Sequence, residues 1–145
     1  MEQYTYPVTL TPDTEAGGFV VTFRDVPEAI TQGESFDEAL SEAADCLEEA
    51  FAGRICHKEP LPIPTPLEKG EFLVAVPAQT AMKAAIHQAV MDAGISKVEL
   101  AKRLGVDEKE ARRILDPKYG TKLPLLERAL AVVGKRLVVS IQNAA

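Results

Sequence analysis

Three basic residues within five, Lys109, Arg112 and Arg113, stand in the stretch SKVELAKRLGVDEKEARRIL (Ser96–Leu115). A guanidinium can fork onto the O6 and N7 of guanine, and an ammonium suits a phosphate oxygen. If the stretch is helical, an advance of about 100° per residue groups these three on one side. Ala111, Ile114 and Leu115 then fall on the other side. Lys97 opens the preceding helical segment, and Lys118 and Lys122 follow; these three lysines fit phosphate contacts better than base contacts. The same stretch holds the carboxylates of DEKE, which would oppose DNA if they crowned the basic strip. Their spacing gives them another task. Asp107 is placed to cap the helix, Glu110 completes a capping pair three residues on, and Glu108 lies in the first turn, where the helix dipole favours negative charge.

A second charged face comes from SFDEALSEAADCLEEAFAG, where Glu38, Glu42, Asp45, Glu48 and Glu49 lie opposite the apolar stripe Phe36, Ala39, Leu40, Ala43, Leu47 and Phe51. Acids that hold a catalytic metal should project from central strands in a fixed geometry. The strand-like runs YTYPVTL, FVVTF and FLVAV contain no Asp or Glu. His57 stands beside Cys56 in a connection, and His87 lies among alanines; neither makes a nucleophile–base pattern. Cys46 and Cys56 lack the paired spacing of a zinc site. The expectation is therefore no enzyme, no catalytic residue, no metal and no cofactor.

These faces need elements to carry them. The chain of 145 residues allows one ordinary domain or two small ones. Residues 1–76 hold 15 Asp and Glu against 4 Lys and Arg, whereas residues 77–145 hold 7 against 12. Two modules with different partners follow, 1–77 and 78–145. The first reads β-β-β-α-β: strands at Tyr4–Leu10, Phe19–Phe23 and around Ala29–Gln32, a helix capped by Ser35 and Glu38 and stopped by Gly53, and a strand at Glu71–Pro77. Pro7 argues for an edge or a bulge in the first strand. The proline-rich KEPLPIPTPLEKG stiffens the connection before the last strand. The second module reads as four helices, with Gly105 making the tight turn between its second and third. A closing strand, RLVVSIQ, should pair with the same strand of a second subunit. The overall class is α+β. The start MEQYTYPVTL lacks signal-peptide features, and no apolar run approaches the roughly 20 residues a span needs, so a cytoplasmic chain without membrane contact is expected.

The stretch GGFVVTFRDVPEAITQGESFDEALSEAADCLEEA closely resembles the HicB antitoxins, which share its Pro-containing turn and the pattern of Thr31, Gly33, Ser35, Glu38 and Ala39. The segment from Ser96 onward resembles the Cro/repressor-type helix-turn-helix that many HicB proteins carry. The resemblance implies a partial ribonuclease H-like front domain that neutralises a HicA-like toxin, a small basic mRNA-cleaving ribonuclease. It also implies a back domain that binds operator double-stranded DNA as a homodimer and represses the shared operon. On that view Glu42, Asp45 and Glu48 would meet the toxin. HicB sequences usually have Pro-Gly where this chain has Pro27-Glu28. Two other readings remain: a ribonuclease H-like nuclease with a DNA-binding tail, and a transcription factor whose front domain senses a small ligand.

Overall fold

The computed structural model describes residues 3–143. Strands β1 (Thr5–Pro12), β2 (Phe19–Phe23) and β3 (Ile30–Gly33) precede helix α1 (Phe36–Cys56), and β4 (Phe72–Ala75) follows it. The four strands form one antiparallel sheet in the order β3-β2-β1-β4. Alternation sends Tyr6, Val8, Val21, Phe23 and Val74 to the face under α1, where they meet Ala39, Ala43, Leu47, Phe51 and Ile55. Tyr4 and Tyr6 both approach Phe51 edge-on, at 6.2 and 5.4 Å between ring centroids.

Pro7 lies in a strand paired on both sides, yet it breaks no ladder. β1 pairs with β4 over Thr5–Val8, but with β2 only from Val8 onward. The amide of Val76 donates to the carbonyl of Tyr4 at 2.8 Å, which makes Tyr4–Val76 a hydrogen-bonded pair. Alternation then makes Pro7–Leu73 a non-hydrogen-bonded pair, so the proline nitrogen faces the side where β2 has ended. The edge that proline requires exists locally.

β3 crosses close to the start of α1. A Cβ on Gly33 would sit 2.5 Å from the backbone N and Cα of Ala39, so only glycine fits. Ser35 Oγ accepts from the amide of Glu38 at 3.1 Å, and Glu38 reaches back to the amide of Glu34 at 3.3 Å. The far end differs from expectation. α1 runs through Gly53 to Cys56, because Phe51, Ala52 and Ile55 are buried and hold the last turn in place despite the glycine. Glu28 also has a partner there: it grips Arg54 through two oxygens at 2.5 and 2.9 Å.

Helices α2 (Ala78–Ala93), α3 (Lys97–Leu104), α4 (Glu108–Leu115) and α5 (Leu123–Val132) complete the chain. They enclose a second core of Ile86, Leu100, Ala101, Leu104, Ala111, Ile114, Leu126, Ala129 and Leu130. α2 serves both cores, with Ala81 and Ala84 against the sheet-side cluster and Ile86 in the helical one. The closing strand expected over residues 136–142 does not form within the single chain. Residues 135–143 carry no strand assignment, and Val138, Val139 and Ile141 are exposed. A strand needs a neighbour, and both cores lie elsewhere; only Leu137 turns inward, onto the helical core.

Candidate nucleic-acid and protein interfaces

Helix α3 begins where Ser96 Oγ accepts from the amide of Glu99 at 3.1 Å, and it is braced by the Arg103–Glu99 pair at 3.0 Å. It ends at Gly105 in the left-handed conformation, φ +70°. α4 then starts from Asp107, whose carboxylate accepts from the amide of Glu110 at 2.8 Å. The acids of DEKE therefore build the start of the helix, as their spacing requires. Buried Ala101 allows the close crossing of the two helices, and Ala111 and Ile114 pin α4 to the core. At the end of α3, Arg128 of α5 donates to the carbonyl of Leu104 at 2.7 Å.

The six basic residues nominated from sequence do not stand alike. Lys97, Lys109, Arg112 and Lys122 are exposed. Arg113 is half-buried: its guanidinium lies 5.1 Å from the ring centroid of Tyr119 and 3.7 Å from the carboxylate of Glu110. Lys118 is turned toward the other half of the chain and pairs with Glu49 of α1 at 2.5 Å. That pair raises the lysine's pKa further, the hydrogen bond to Glu49 being the main cause. Sequence periodicity had no means of finding this contact, since 69 residues separate the partners.

On α1, Glu42, Asp45 and Glu48 follow one another at three-residue intervals, with Asp45 exposed and the other two half-buried. Cys46, between them, donates to the carbonyl of Ile30 at 3.6 Å, and burial pushes its thiol pKa up, away from nucleophilic use. His87 points to the carbonyl of Glu59 at 3.4 Å, and burial holds its pKa down. The connection after α1 is tied back to the sheet: Tyr6 donates to the carbonyl of Pro62 at 2.6 Å, and Asp25 accepts from the amide of Thr65 at 2.8 Å. Arg24 also bonds the Thr65 hydroxyl and the Glu71 carboxylate, the latter at 2.6 Å. No described helix is long and apolar enough to cross a membrane.

A sheet covered by a helix with an acidic face, followed by a helical cluster with a basic one, is carried on a single chain. Residues 5–85 match the family model described as a HicB-like antitoxin of bacterial toxin–antitoxin systems. Antitoxin HicB 1 of Photorhabdus laumondii is 39% identical over 137 residues, covering 94% of this chain and 86% of that protein. Antitoxin HicB of Escherichia coli K12 is 39% identical over 132 residues, covering 91% and 95%. Antitoxin HicB of Pseudomonas fluorescens is 30% identical over 131 residues, covering 90% of each. The chain belongs to the HicB family of antitoxins.

Proposed function

We propose that this antitoxin binds and silences a HicA-type ribonuclease through its front module and represses its own operon through its back module. The supporting observation is the pairing, in one chain, of an acidic face on α1 with an exposed basic strip on a separately capped α4. A cationic ribonuclease is drawn to Glu42, Asp45 and Glu48, because complementary potentials steer encounter and disfavour wrong partners. α3, the Gly105 turn and α4 act as a helix-turn-helix. α4 enters the major groove with Lys109 and Arg112 outward, and Lys97 and Lys122 take phosphates. Arg113 reaches DNA only by leaving Tyr119 and Glu110, and Lys118 only by leaving Glu49. The protein works in the cytoplasm as a homodimer, since one such motif reads only a half-site. The functional division falls at 1–77 and 78–145, with α2 bracing both parts.

The test uses the full chain. Glu42→Lys with Asp45→Lys and Glu48→Lys should slow association with the toxin if these acids only steer, and speed dissociation if they are buried in contact. In either case more antitoxin should be needed to protect RNA, while binding to DNA from upstream of the gene persists. RNA protection by the triple variant at wild-type concentrations would overturn the assignment of this face.

A further inference from the structure

Lys83 is a charged side chain with no exposed surface, in the middle of α2. Its ammonium donates to the carbonyl of Arg113 at 2.8 Å, the carbonyl of Asp116 at 2.8 Å and the hydroxyl of Thr121 at 2.9 Å. Three donors meet three acceptors, so the group is fully used. The acceptors belong to one place, the C-terminal end of α4 and the turn that leaves it.

That end lacks the device that stops its neighbours. α2 and α3 finish on left-handed glycines, Gly94 and Gly105, whose amides close back onto the last turn. α4 finishes on Asp116 in an extended conformation. The Asp116 amide closes onto the Arg113 carbonyl at 3.2 Å and the Tyr119 amide onto the Asp116 carbonyl at 3.1 Å. Lys83 adds a charged second donor to both carbonyls, where the negative end of the helix dipole favours a cation. Tyr119 completes the arrangement, its ring lying 5.9 Å from the Lys83 ammonium and 5.1 Å from the Arg113 guanidinium. The end of α4 and its turn are thus tied to α2 by Lys83 and by Gln79, whose Oε1 accepts from the Thr121 amide at 2.5 Å, while Asp107 caps the start of α4.

We propose that Lys83 is the positioning residue of the DNA-reading helix, setting how α4 presents Lys109 and Arg112 to the groove, and that operator affinity depends on its protonation. This rests on the DNA-binding role proposed above for α4. Burial lowers the lysine's pKa to about 8, partly opposed by the nearby carboxylates of Asp116 and Glu110. The other charged or titratable groups around it are Arg113 and Tyr119 across the turn, and His87 one turn along its own helix, directed at Glu59. Losing the proton leaves two donors for three acceptors, and those bonds lose their charge assistance.

Stability moves the opposite way, which separates positioning from simple folding. The folded pKa lies below that of a free lysine, so the unfolded chain binds the proton more readily. Between about pH 8 and about pH 10 the fold gains stability from this group as pH rises, while its hold on α4 weakens.

The probe is a labelled duplex from immediately upstream of the gene, titrated with the full chain at constant ionic strength. Wild-type affinity should fall about fivefold or more between about pH 7 and about pH 9, the scale of one lost base contact. Thermal stability should not fall in parallel. Lys83→Met should bind weakly at both pH values with little change between them, and should still protect RNA from the toxin. A wild-type profile that is flat across this range would overturn the inference with no variant needed. So would a Lys83→Met protein that binds the duplex as wild type does. Absence of any wild-type binding to the duplex would instead overturn the DNA-binding role itself, and this inference with it.

Discussion

Arg112→Ala is the substitution that best isolates base reading. Arg112 projects from α4 into solvent, and among the described residues it enters no ion pair. At about 100° per residue Lys109 lies between Arg112 and Arg113 on the exposed arc, about 60° from the first and about 40° from the second. On the proposed reading Arg112 would meet a base edge without first giving up a partner. A bidentate contact to guanine discriminates by about 1–3 kcal/mol, so the variant should lose about five- to 150-fold in operator affinity. Arg113→Ala should lose less. Its guanidinium already stacks on Tyr119 at 5.1 Å, an interaction worth about 0.5–1 kcal/mol at an exposed site, and that is given up on reaching DNA. Lys122→Ala, at a proposed phosphate contact, should weaken operator and unrelated DNA alike, and reduce the slope of log affinity against log salt by about 0.9. Fluorescence anisotropy with operator and scrambled duplexes across a salt series separates the three. Equal losses of Arg112→Ala on both duplexes would make it a phosphate contact and refute the reasoning, as would wild-type affinity.

Gly33→Ala should destabilise the front core, because the new methyl would lie 2.5 Å from the backbone of Ala39 and α1 would have to move; overpacking of this kind costs about 1–3 kcal/mol, read as a lower thermal midpoint. Deleting residues 136–145 should lower both dimer mass and operator affinity while leaving RNA protection intact, since the exposed Val138, Val139 and Ile141 have no neighbour strand in the single chain. A truncated protein that stays dimeric in sedimentation equilibrium, at concentrations where wild type is dimeric, would remove this segment as the joint.

What could be foreseen from sequence was whatever local chemistry decides. Ser35 with Glu38 and Asp107 with Glu110 are three-residue spacings, and each forms its cap. The alternation in FVVTF and the apolar stripe of α1 depend only on strand and helix period. Val21 and Phe23 are buried, as are Ala39, Ala43, Leu47 and Phe51, whereas Phe36 at the start of the stripe is exposed and meets Phe72 edge-on. Gly53 misled because propensity is a weak prior: a cost of about 1 kcal/mol is smaller than the burial of Phe51 and Ile55 on either side of it. Pro7 was half understood. Its need for a free side was clear, but which side of β1 would be free depended on where β2 ended. RLVVSIQ alternates like a strand, and a pattern of that kind states a capacity to pair without supplying the partner.

The candidate site was less legible because its decisive contacts are long-range. The sequence assigns Lys118 to phosphate beside Lys97 and Lys122, yet Lys118 spends its charge on Glu49. Both side chains of that pair are more than half exposed, and exposed pairs are worth about 0–1 kcal/mol. Lys118 can therefore still move to a phosphate, but its contribution to binding is the difference between two partners. Lys83 shows the reverse error. As one lysine among alanines and an isoleucine in AMKAAIHQ it has no motif, and helical periodicity only places it on the same side as Ile86. A buried lysine must find acceptors or lose its proton, and two of the three acceptors here are carbonyls, which every sequence has and none advertises. Side-chain motifs nominate the candidates for DNA contact. A residue that ties a helix end to its neighbour is legible only once the fold shows which carbonyls lie within reach of a buried ammonium.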